Sequence, residues 1–315
     1  MDPSPPVVPA PDATIEPAGF IVDADGVRIH FLDWGGPAKS DGPGVLALHG
    51  IGHTAWAWTP IARRLAGERG TRRFVAMDLR GHGLSDAPTE DGAYELPLHG
   101  EDAVAVAEGS GLLGGERQAV VVAGHGFGAI AAAEAAIDLG DRCAGLVLVD
   151  GGWESLEEAT GLDVDEFLRG LEEPPEVMSS MTAFLRDRRE FDPSTWDGDQ
   201  EGAARASVVE THAGRVVPSA RPHATEATVR AMFEYEPSAV LPVVDAPVTA
   251  LIASDDETRA RARALAAESA AREASGRSAI HVIRFGHDGH NLMRYRPTEV
   301  TAAILSADRP STGGG

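Results

Sequence analysis

The stretch VVVAGHGFGAIA, from Val120 to Ala131, decides the fold of this chain. Its apolar start predicts a buried strand, the glycines that follow predict a tight turn, and the alanine-rich end predicts a helix. Many hydrolases hold their nucleophile in a strand–turn–helix unit of this kind. Here the central position of the turn is Gly126, which has no side chain. The stretch is therefore either a nucleophile turn that lacks its nucleophile or a nucleotide-binding turn.

Both patterns fit the turn. The nucleophile pattern G-x-S-x-G matches at Gly124 and Gly128 and fails only at the centre. The dinucleotide pattern G-x-G-x-x-A matches at Gly124, Gly126 and Ala129, and Asp150 ends the next predicted strand, where a ribose-binding acid would sit. A dinucleotide fold normally places this turn after its first strand, whereas several predicted strands precede it here. The dinucleotide interpretation is therefore the weaker one.

Short apolar runs alternate with helical segments along most of the chain. An alternation of apolar and polar residues around Asp25-Gly26 predicts a hairpin. The other predicted strands are 45–49, 74–78, 119–123, 145–150, 248–253 and 280–285, and the predicted helices are 59–68, 101–108, 129–139, 259–273 and 297–305. This order predicts an α/β fold with a mostly parallel, doubly wound sheet, eight-stranded when the hairpin is included.

The alternation lapses within residues 153–242, which are rich in Glu, Arg and Pro and predict a mostly helical insertion. The core would then comprise residues 18–152 and 243–307. The Pro-rich arm 1–17 and the tail 308–315 are expected to be disordered. Four aromatic residues are expected to pack within the insertion or the core: Trp153, Phe184, Trp196 and Phe233.

Composition limits the classes of partner. The chain has 315 residues, 43% of them hydrophobic, which is enough for a sizeable core. Its formal charge of −22 repels phosphate backbones and anionic lipids, so neither nucleic acid nor a membrane surface is an expected partner. Cys143 is the only cysteine and the N-terminus lacks the features of a signal peptide, so a cytoplasmic location is expected. No feature indicates an oligomeric state.

Two further glycine-rich loops follow predicted strands. In LALHGIGHTAWAW, the strand ends at His49-Gly50 and an open loop follows, whose N–H groups can face a developing oxyanion. The alternative is an ordinary turn with Trp56 and Trp58 in the core. In DLRGHGLSDAP, Ser85 lies in a near match to the nucleophile pattern, but no helix opens after it, so it is not the predicted nucleophile.

Two loops near the C-terminus carry acids and histidines. The strand in APVTALIASDDE ends at Asp255 and Asp256, and the loop in VIRFGHDGHNLMRYRP carries His287 and His290. These histidines, with His49 and His53, could suggest a metal site. A glycine-rich loop fixes no ligand spacing and no cysteine assists, so no metal is expected.

Taken together, these motifs resemble the α/β-hydrolase family over residues 19–306, in its capped esterase, lactonase and epoxide-hydrolase branch. GHGFG stands where that family has GHSFG or a relative, so Gly126 occupies the nucleophile position. The resemblance implies His290 as the base, Asp256 as its acid and Asp150 as the alternative acid. It also implies a cap at 153–242 and an oxyanion hole formed by the N–H groups of Ile51 and Phe127. Further substrate-binding candidates are His49, Gly50, His125 and Trp153.

The resemblance implies hydrolysis of an ester, a lactone or a similar bond in a small apolar molecule, with no cofactor. Gly126 removes the usual covalent route. Four hypotheses remain. The first is a hydrolase in which the His290–Asp256 pair acts as a general base on water or directly on the substrate. The other three are a variant stripped of its nucleophile, a non-catalytic ligand-binding protein of the same fold, and an NAD(P)-binding oxidoreductase.

Overall fold

The computed structural model of the chain describes residues 6–37, 40, 42–67, 70–114, 119–253, 258–286 and 288–308. Within them the strands form one eight-stranded sheet and one two-stranded sheet. The strands of the large sheet are β1 (Ala18–Ala24), β2 (Val27–Asp33), β3 (Gly44–Leu48), β4 (Phe74–Met77), β5 (Val120–His125), β6 (Cys143–Val149), β9 (Val248–Ile252) and β10 (His281–Arg284), and those of the small sheet are β7 (Val208–Glu210) and β8 (Val216–Pro218).

The large sheet has the spatial order β1-β2-β4-β3-β5-β6-β9-β10. Only β2 is antiparallel to its neighbours β1 and β4; the remaining pairs are parallel. The predicted α/β fold with an eight-stranded, mostly parallel sheet is confirmed. The predicted strands differ from those found only at their ends.

Helices lie between the strands on both faces of the sheet. They are α1 (Thr59–Leu65), α2 (Leu96–Gly109), α3 (Phe127–Leu139), α4 (Leu156–Thr160), α5 (Val164–Gly170), α6 (Met181–Phe191), α7 (Gly198–Ala206), α8 (Pro222–Phe233), α9 (Pro237–Val240), α10 (Thr258–Ala274), α11 (Leu292–Tyr295) and α12 (Pro297–Ser306). The largest difference from the prediction is the start of α2 at Leu96 instead of 101. Pro97 lies in its first turn, where a missing N–H costs nothing.

The core has two apolar layers, one on each face of the sheet. Alternate residues of a strand point to opposite faces. In β3, Leu46 and Leu48 belong to one layer, whereas Val45 and Ala47 belong to the other. This double coverage explains why the parallel strands read as continuous apolar runs.

The insertion lies between β6 and β9, which are neighbours in the sheet. It contains α4 to α9 and the β7–β8 hairpin, which was not predicted because its strands are short and mostly exposed. Trp153 and Phe184 are buried, whereas Trp196 and Phe233 are partly exposed. None of the described helices has the length and apolar character needed to cross a bilayer.

Part of the N-terminal arm is ordered, contrary to the expected disorder of 1–17. Arg63 on α1 donates hydrogen bonds to the carbonyl oxygens of Ala13 at 2.6 Å and Ile15 at 2.8 Å, and it pairs with Glu16 at 2.8 Å. These contacts fix the arm on the outside of α1 because one guanidinium satisfies several acceptors. Residues 1–5 and 309–315 lie outside the described part of the chain.

Candidate active site

Gly126 forms the sharp turn between β5 and α3, with φ 54° and ψ −118°. A side chain in such a conformation costs about 1–3 kcal/mol of backbone strain, which glycine avoids. The Gly126 N–H donates to Val149 O at 3.0 Å, and its carbonyl accepts from Ala129 N at 3.0 Å. Backbone hydrogen bonds therefore hold the turn without any side chain at its centre.

The missing side chain of Gly126 would face His290. A Cβ placed on Gly126 would lie 3.1 Å from His290 Nε2, 3.6 Å from Cε1 and 3.8 Å from Gly50 Cα. The imidazole thus reaches the space that a nucleophile would occupy. The predicted convergence of Gly126 and His290 is present in the structure.

Asp150 holds the other side of the His290 ring. The His290 Nδ1–H donates to Asp150 Oδ2 at 2.6 Å, while Asp150 Oδ1 accepts from Ala253 N at 2.9 Å and lies 3.0 Å from Arg261 Nη1. The Asp150 side chain is 2% exposed. The contact belongs to the alternative acid of the sequence analysis, whereas Asp256, the first choice, lies outside the described residues.

Arg261 and Glu154 extend this network, and the sequence analysis did not identify either. Arg261 Nε donates to Glu154 Oε1 at 2.7 Å, and its guanidinium lies 5.2 Å from the ring centroid of Trp153. Burial raises the pKa of Glu154, an effect that Arg261 only partly offsets. Arg261 follows the acidic loop by a few residues, and nothing in the sequence pattern distinguishes it from the other arginines of α10.

His125 positions the loop that carries His290. The His125 Nε2–H donates to the carbonyl oxygen of His290 at 3.1 Å, and the two ring centroids are 4.5 Å apart. Burial, and next the charge of His290, lower the pKa of His125 well below its ordinary value. A Cβ on Gly50 would lie 2.8 Å from His125 Nδ1, so glycine at position 50 leaves room for this ring.

His49 and Trp153, predicted to contact substrate, are fully buried and lie outside the cavity wall. His49 Nε2 accepts from Leu79 N at 3.0 Å, so its Nδ1–H donates to Gly50 O at 2.8 Å. Burial lowers the pKa of His49 to about 3. We therefore assign His49 a role in holding the loop and Trp153 a role in packing beneath Arg261.

A cavity of about 450 Å³ opens above Gly126 at the carboxyl ends of β3, β5 and β6. Its wall includes the predicted positions Gly50, His125, Asp150 and His290. The apolar part of the wall includes Ile51, Phe127, Ile130, Leu156, Phe167, Leu171 and Met232. Phe127 begins α3, so its N–H has no acceptor within the helix. The cavity therefore combines an apolar lining with one end that carries the His290 imidazole and the first N–H of α3.

The sequence analysis also considered Ser85 as a nucleophile and a group of histidines as a metal site. Ser85 is buried; its hydroxyl donates to Asp78 O at 2.6 Å and accepts from His30 N at 2.9 Å, which is a structural role. Among the described residues, no group of three or more His, Cys, Asp or Glu side chains could hold a metal ion. His287 lies outside those residues.

The carboxylate of Asp78 connects β4 with the loop over the cavity. It accepts from Ala55 N at 2.7 Å, Leu84 N at 3.0 Å and His30 Nδ1 at 2.8 Å. Burial favours the neutral acid, but His30 and the N–H donors hold the pKa of Asp78 below its ordinary value. Asp78 therefore fixes the loop that begins at Gly50.

Replacing Asp78 with alanine should lower the free energy of unfolding by about 3 kcal/mol, because three donors, two of them buried, lose their acceptor. Chemical denaturation at neutral pH measures this loss. The matched control is Asp86→Ala, which removes an exposed partner of Arg28 and should have a much smaller effect. Equal losses in the two variants would contradict the role given to Asp78.

The lowered pKa also fixes the pH dependence of that contribution. A depressed carboxyl pKa stabilises the fold above the unfolded value of 3.8, and the contribution is lost as the pH falls through the folded value. The difference between the parent and Asp78→Ala should therefore shrink below that pH.

Comparisons with known proteins agree with this architecture. The chain is 32% identical over 112 residues to "Bifunctional epoxide hydrolase 2" of Sus scrofa, covering 36% of this chain and 18% of that protein. It is 31% identical over 158 residues to "Probable esterase PIR7A" of Oryza sativa subsp. indica, covering 48% of this chain and 55% of that protein. The chain thus matches about half or less of the length of these relatives.

A solved structure titled "Crystal Structure of E-2-(Acetamidomethylene)succinate Hydrolase" superposes with a TM-score of 0.72 at 21% identity, over 92% of this chain and 98% of that one. At that identity the likeness concerns the fold. The sequence profile described as "Alpha/beta hydrolase family" matches residues 45–304, which is most of the chain. The chain therefore belongs to the α/β-hydrolase family.

Proposed function

We propose that the chain hydrolyses ester- or lactone-type bonds in a small molecule with an apolar acyl part, without a covalent intermediate. One observation carries the proposal: His290 is held at Nδ1 by Asp150 at 2.6 Å, and its Nε2 faces the empty side-chain position of Gly126. A base oriented in this way can act on water in place of a serine hydroxyl.

In the proposed reaction, His290 Nε2 takes a proton from a water molecule above Gly126 as the water oxygen attacks the substrate carbonyl carbon. The N–H groups of Ile51 and Phe127 would stabilise the oxyanion, and Asp150 would stabilise the imidazolium. Collapse of the tetrahedral intermediate breaks the bond to the leaving oxygen, which takes the proton back from His290. The products are a carboxylic acid and an alcohol.

The insertion would act as the cap of this site. Leu156, Phe167 and Met232 of the insertion face the cavity opposite Ile51 and Phe127 of the core. An apolar wall of this kind favours a small apolar acyl group. The printed names of the curated relatives, an esterase and an epoxide hydrolase, support hydrolysis as the class of reaction.

Gly126 itself favours a second candidate, a protein that binds the ligand without turning it over. A binding protein needs no nucleophile, and glycine relieves the strain of the turn. The retained contact between Asp150 and His290 speaks for the hydrolase, because binding alone needs no oriented base. Measured turnover by the unaltered chain separates the two.

The chain should hydrolyse at least one member of a panel of activated esters and lactones, and His290→Ala should lower that turnover strongly. The expected loss is about 10²–10⁴-fold, the usual contribution of a general base. The matched control is His212→Ala, which removes an exposed histidine of the insertion and should leave turnover unchanged. Turnover that falls less than about tenfold in His290→Ala would exclude the proposed mechanism. An inactive parent chain that binds the same compounds would favour the binding protein.

A further inference from the structure

A second cavity lies beside the first, between the insertion and the loop that follows β3. Its volume is about 340 Å³. Ile51, His53 and Leu171 line both cavities, so the two cavities adjoin at these three residues. The outer walls differ, because the second cavity is lined by Arg188 and Arg294 as well as by apolar residues.

Arg188, on α6, carries an unsatisfied donor. Its Nε is buried and makes no hydrogen bond among the described residues; the nearest carboxylate, Asp187 Oδ2, lies 3.7 Å away, which is too far for one. Nη2 lies 2.5 Å from Glu173 Oε1, in an ion pair without hydrogen-bond geometry, and the guanidinium lies 5.0 Å from the ring centroid of Phe184. A buried cationic N–H without an acceptor is costly, and a bound anion would supply the missing acceptor.

Arg188 acts electrostatically on His53, which lies where the two cavities meet. Burial, then the charge of His290, and also that of Arg188, lower the pKa of His53 to about 4. His53 is therefore neutral at physiological pH. A ligand that passes His53 meets a neutral ring on its way from the base to the guanidinium group.

Arg294 contributes a second guanidinium to the same cavity. It lies on α11, directly after the loop of His290, and is held by Thr195 and Asp192: Nε donates to Thr195 Oγ1 at 2.6 Å, and Nη2 donates to Asp192 O at 2.7 Å. These bonds hold the guanidinium group in place, and neither of them uses its Nη1. Two arginines and Glu173 give the wall one net positive charge, in a chain whose formal charge is −22.

We propose that this second cavity binds a carboxylate carried by the substrate, with Arg188 as the principal partner and Arg294 as the second. One net positive charge matches a carboxylate better than a dianionic phosphate. The inference rests on the proposed function and refines it: the substrate has a scissile, apolar end over Gly126 and an anionic end between the two guanidinium groups.

Binding to the unaltered chain tests this site without any turnover. Isothermal titration calorimetry should compare glutaramate, which has one carboxylate and one amide, with glutaramide, which has two amides. Glutaramate should bind at least about tenfold more tightly, and its affinity should fall as salt is added. Equal affinities, or an affinity insensitive to salt, would overturn the proposal.

Arg188→Gln should weaken glutaramate binding about tenfold and leave glutaramide binding unchanged. The matched control is Arg189→Gln, which removes the neighbouring, exposed arginine of α6 and should change neither affinity. Circular dichroism and thermal melting establish whether each variant is folded. An equal loss of glutaramate affinity in both variants would mean that the anion responds to the overall charge of the protein and not to Arg188, and the proposal would fail.

A kinetic comparison separates this proposal from the proposed function. In a Gly126→Ser background, kcat/KM should be higher for the mono-p-nitrophenyl ester of glutarate than for p-nitrophenyl pentanoate, and Arg188→Gln should remove that preference. Turnover of both esters without any preference would overturn the anion site alone. Selective glutaramate binding by a protein that hydrolyses neither ester would retain the anion site and overturn the hydrolase.

Discussion

Replacing Gly126 with serine should raise hydrolysis of short p-nitrophenyl esters by about 10³-fold or more over the parent chain. The new hydroxyl would start from a Cβ 3.1 Å from His290 Nε2. That contact is tight, so the imidazole must move by a few tenths of an ångström, and it has room because its side chain is 61% exposed. The reaction would then proceed through an acyl-enzyme, with Asp150 and His290 in their usual roles.

The matched control is Gly126→Ala. It introduces the same backbone strain, about 1–3 kcal/mol, and the same Cβ, but no hydroxyl. It should show no gain in turnover. A burst of p-nitrophenol in the serine variant alone would identify the acyl-enzyme. A folded Gly126→Ser protein without any gain would show that Gly126, His290 and the oxyanion donors do not form one working site.

Within the Gly126→Ser protein, Asp150→Asn should lower kcat by about 10⁴-fold. An amide at position 150 can present an N–H to His290 Nδ1, which favours the wrong tautomer and removes the charge that stabilises the imidazolium. Arg261 and Ala253 N would retain an oxygen acceptor, so the local structure should persist. Steady-state kinetics with p-nitrophenyl butyrate measures the change.

Asp256→Asn in the same background is the control that decides between the two acids. We expect little change in kcat, since Asp150 already occupies Nδ1 of His290 at 2.6 Å. A large loss in Asp256→Asn, together with a small loss in Asp150→Asn, would reverse the assignment. The two variants have the same change of charge, so a general electrostatic effect would appear in both.

The choice of acid shows where sequence reasoning stops. Asp150 and Asp256 each follow a parallel strand in the sequence, and β6 and β9 are neighbours, so strand order alone predicts both acids at the same edge of the sheet. The order of the strands in the sheet and the order of the motifs along the chain were equally consistent with Asp150 and with Asp256 as the acid that supports His290. The difference depends on side-chain direction: Asp150 adopts φ 50° and turns its carboxylate towards His290. No pattern in a single sequence specifies that angle.

The same limit applies to the insertion. Its helical content was predicted from composition, but the position of Arg188 in the wall of the second cavity was not. That wall is formed by α6, α7 and the loop after β3, which are brought together only by folding. Arg188 reads as one of several arginines in "MTAFLRDRRE". Its buried Nε makes no hydrogen bond, and its Nη2 is paired with Glu173, which lies outside α6 and is brought there only by folding.

The sequence alone determined the sheet and the turn at Gly126, because hydrophobic periodicity and glycine conformation are properties of a local segment and do not depend on tertiary contacts. It also placed Gly126 and His290 at one edge, since parallel strands end on the same side. The tertiary structure decided which carboxylate supports His290, that His49 and Trp153 lie outside the cavity, and that two guanidinium groups line the space beside it. These properties depend on distances between segments remote in sequence, and only packing sets such distances.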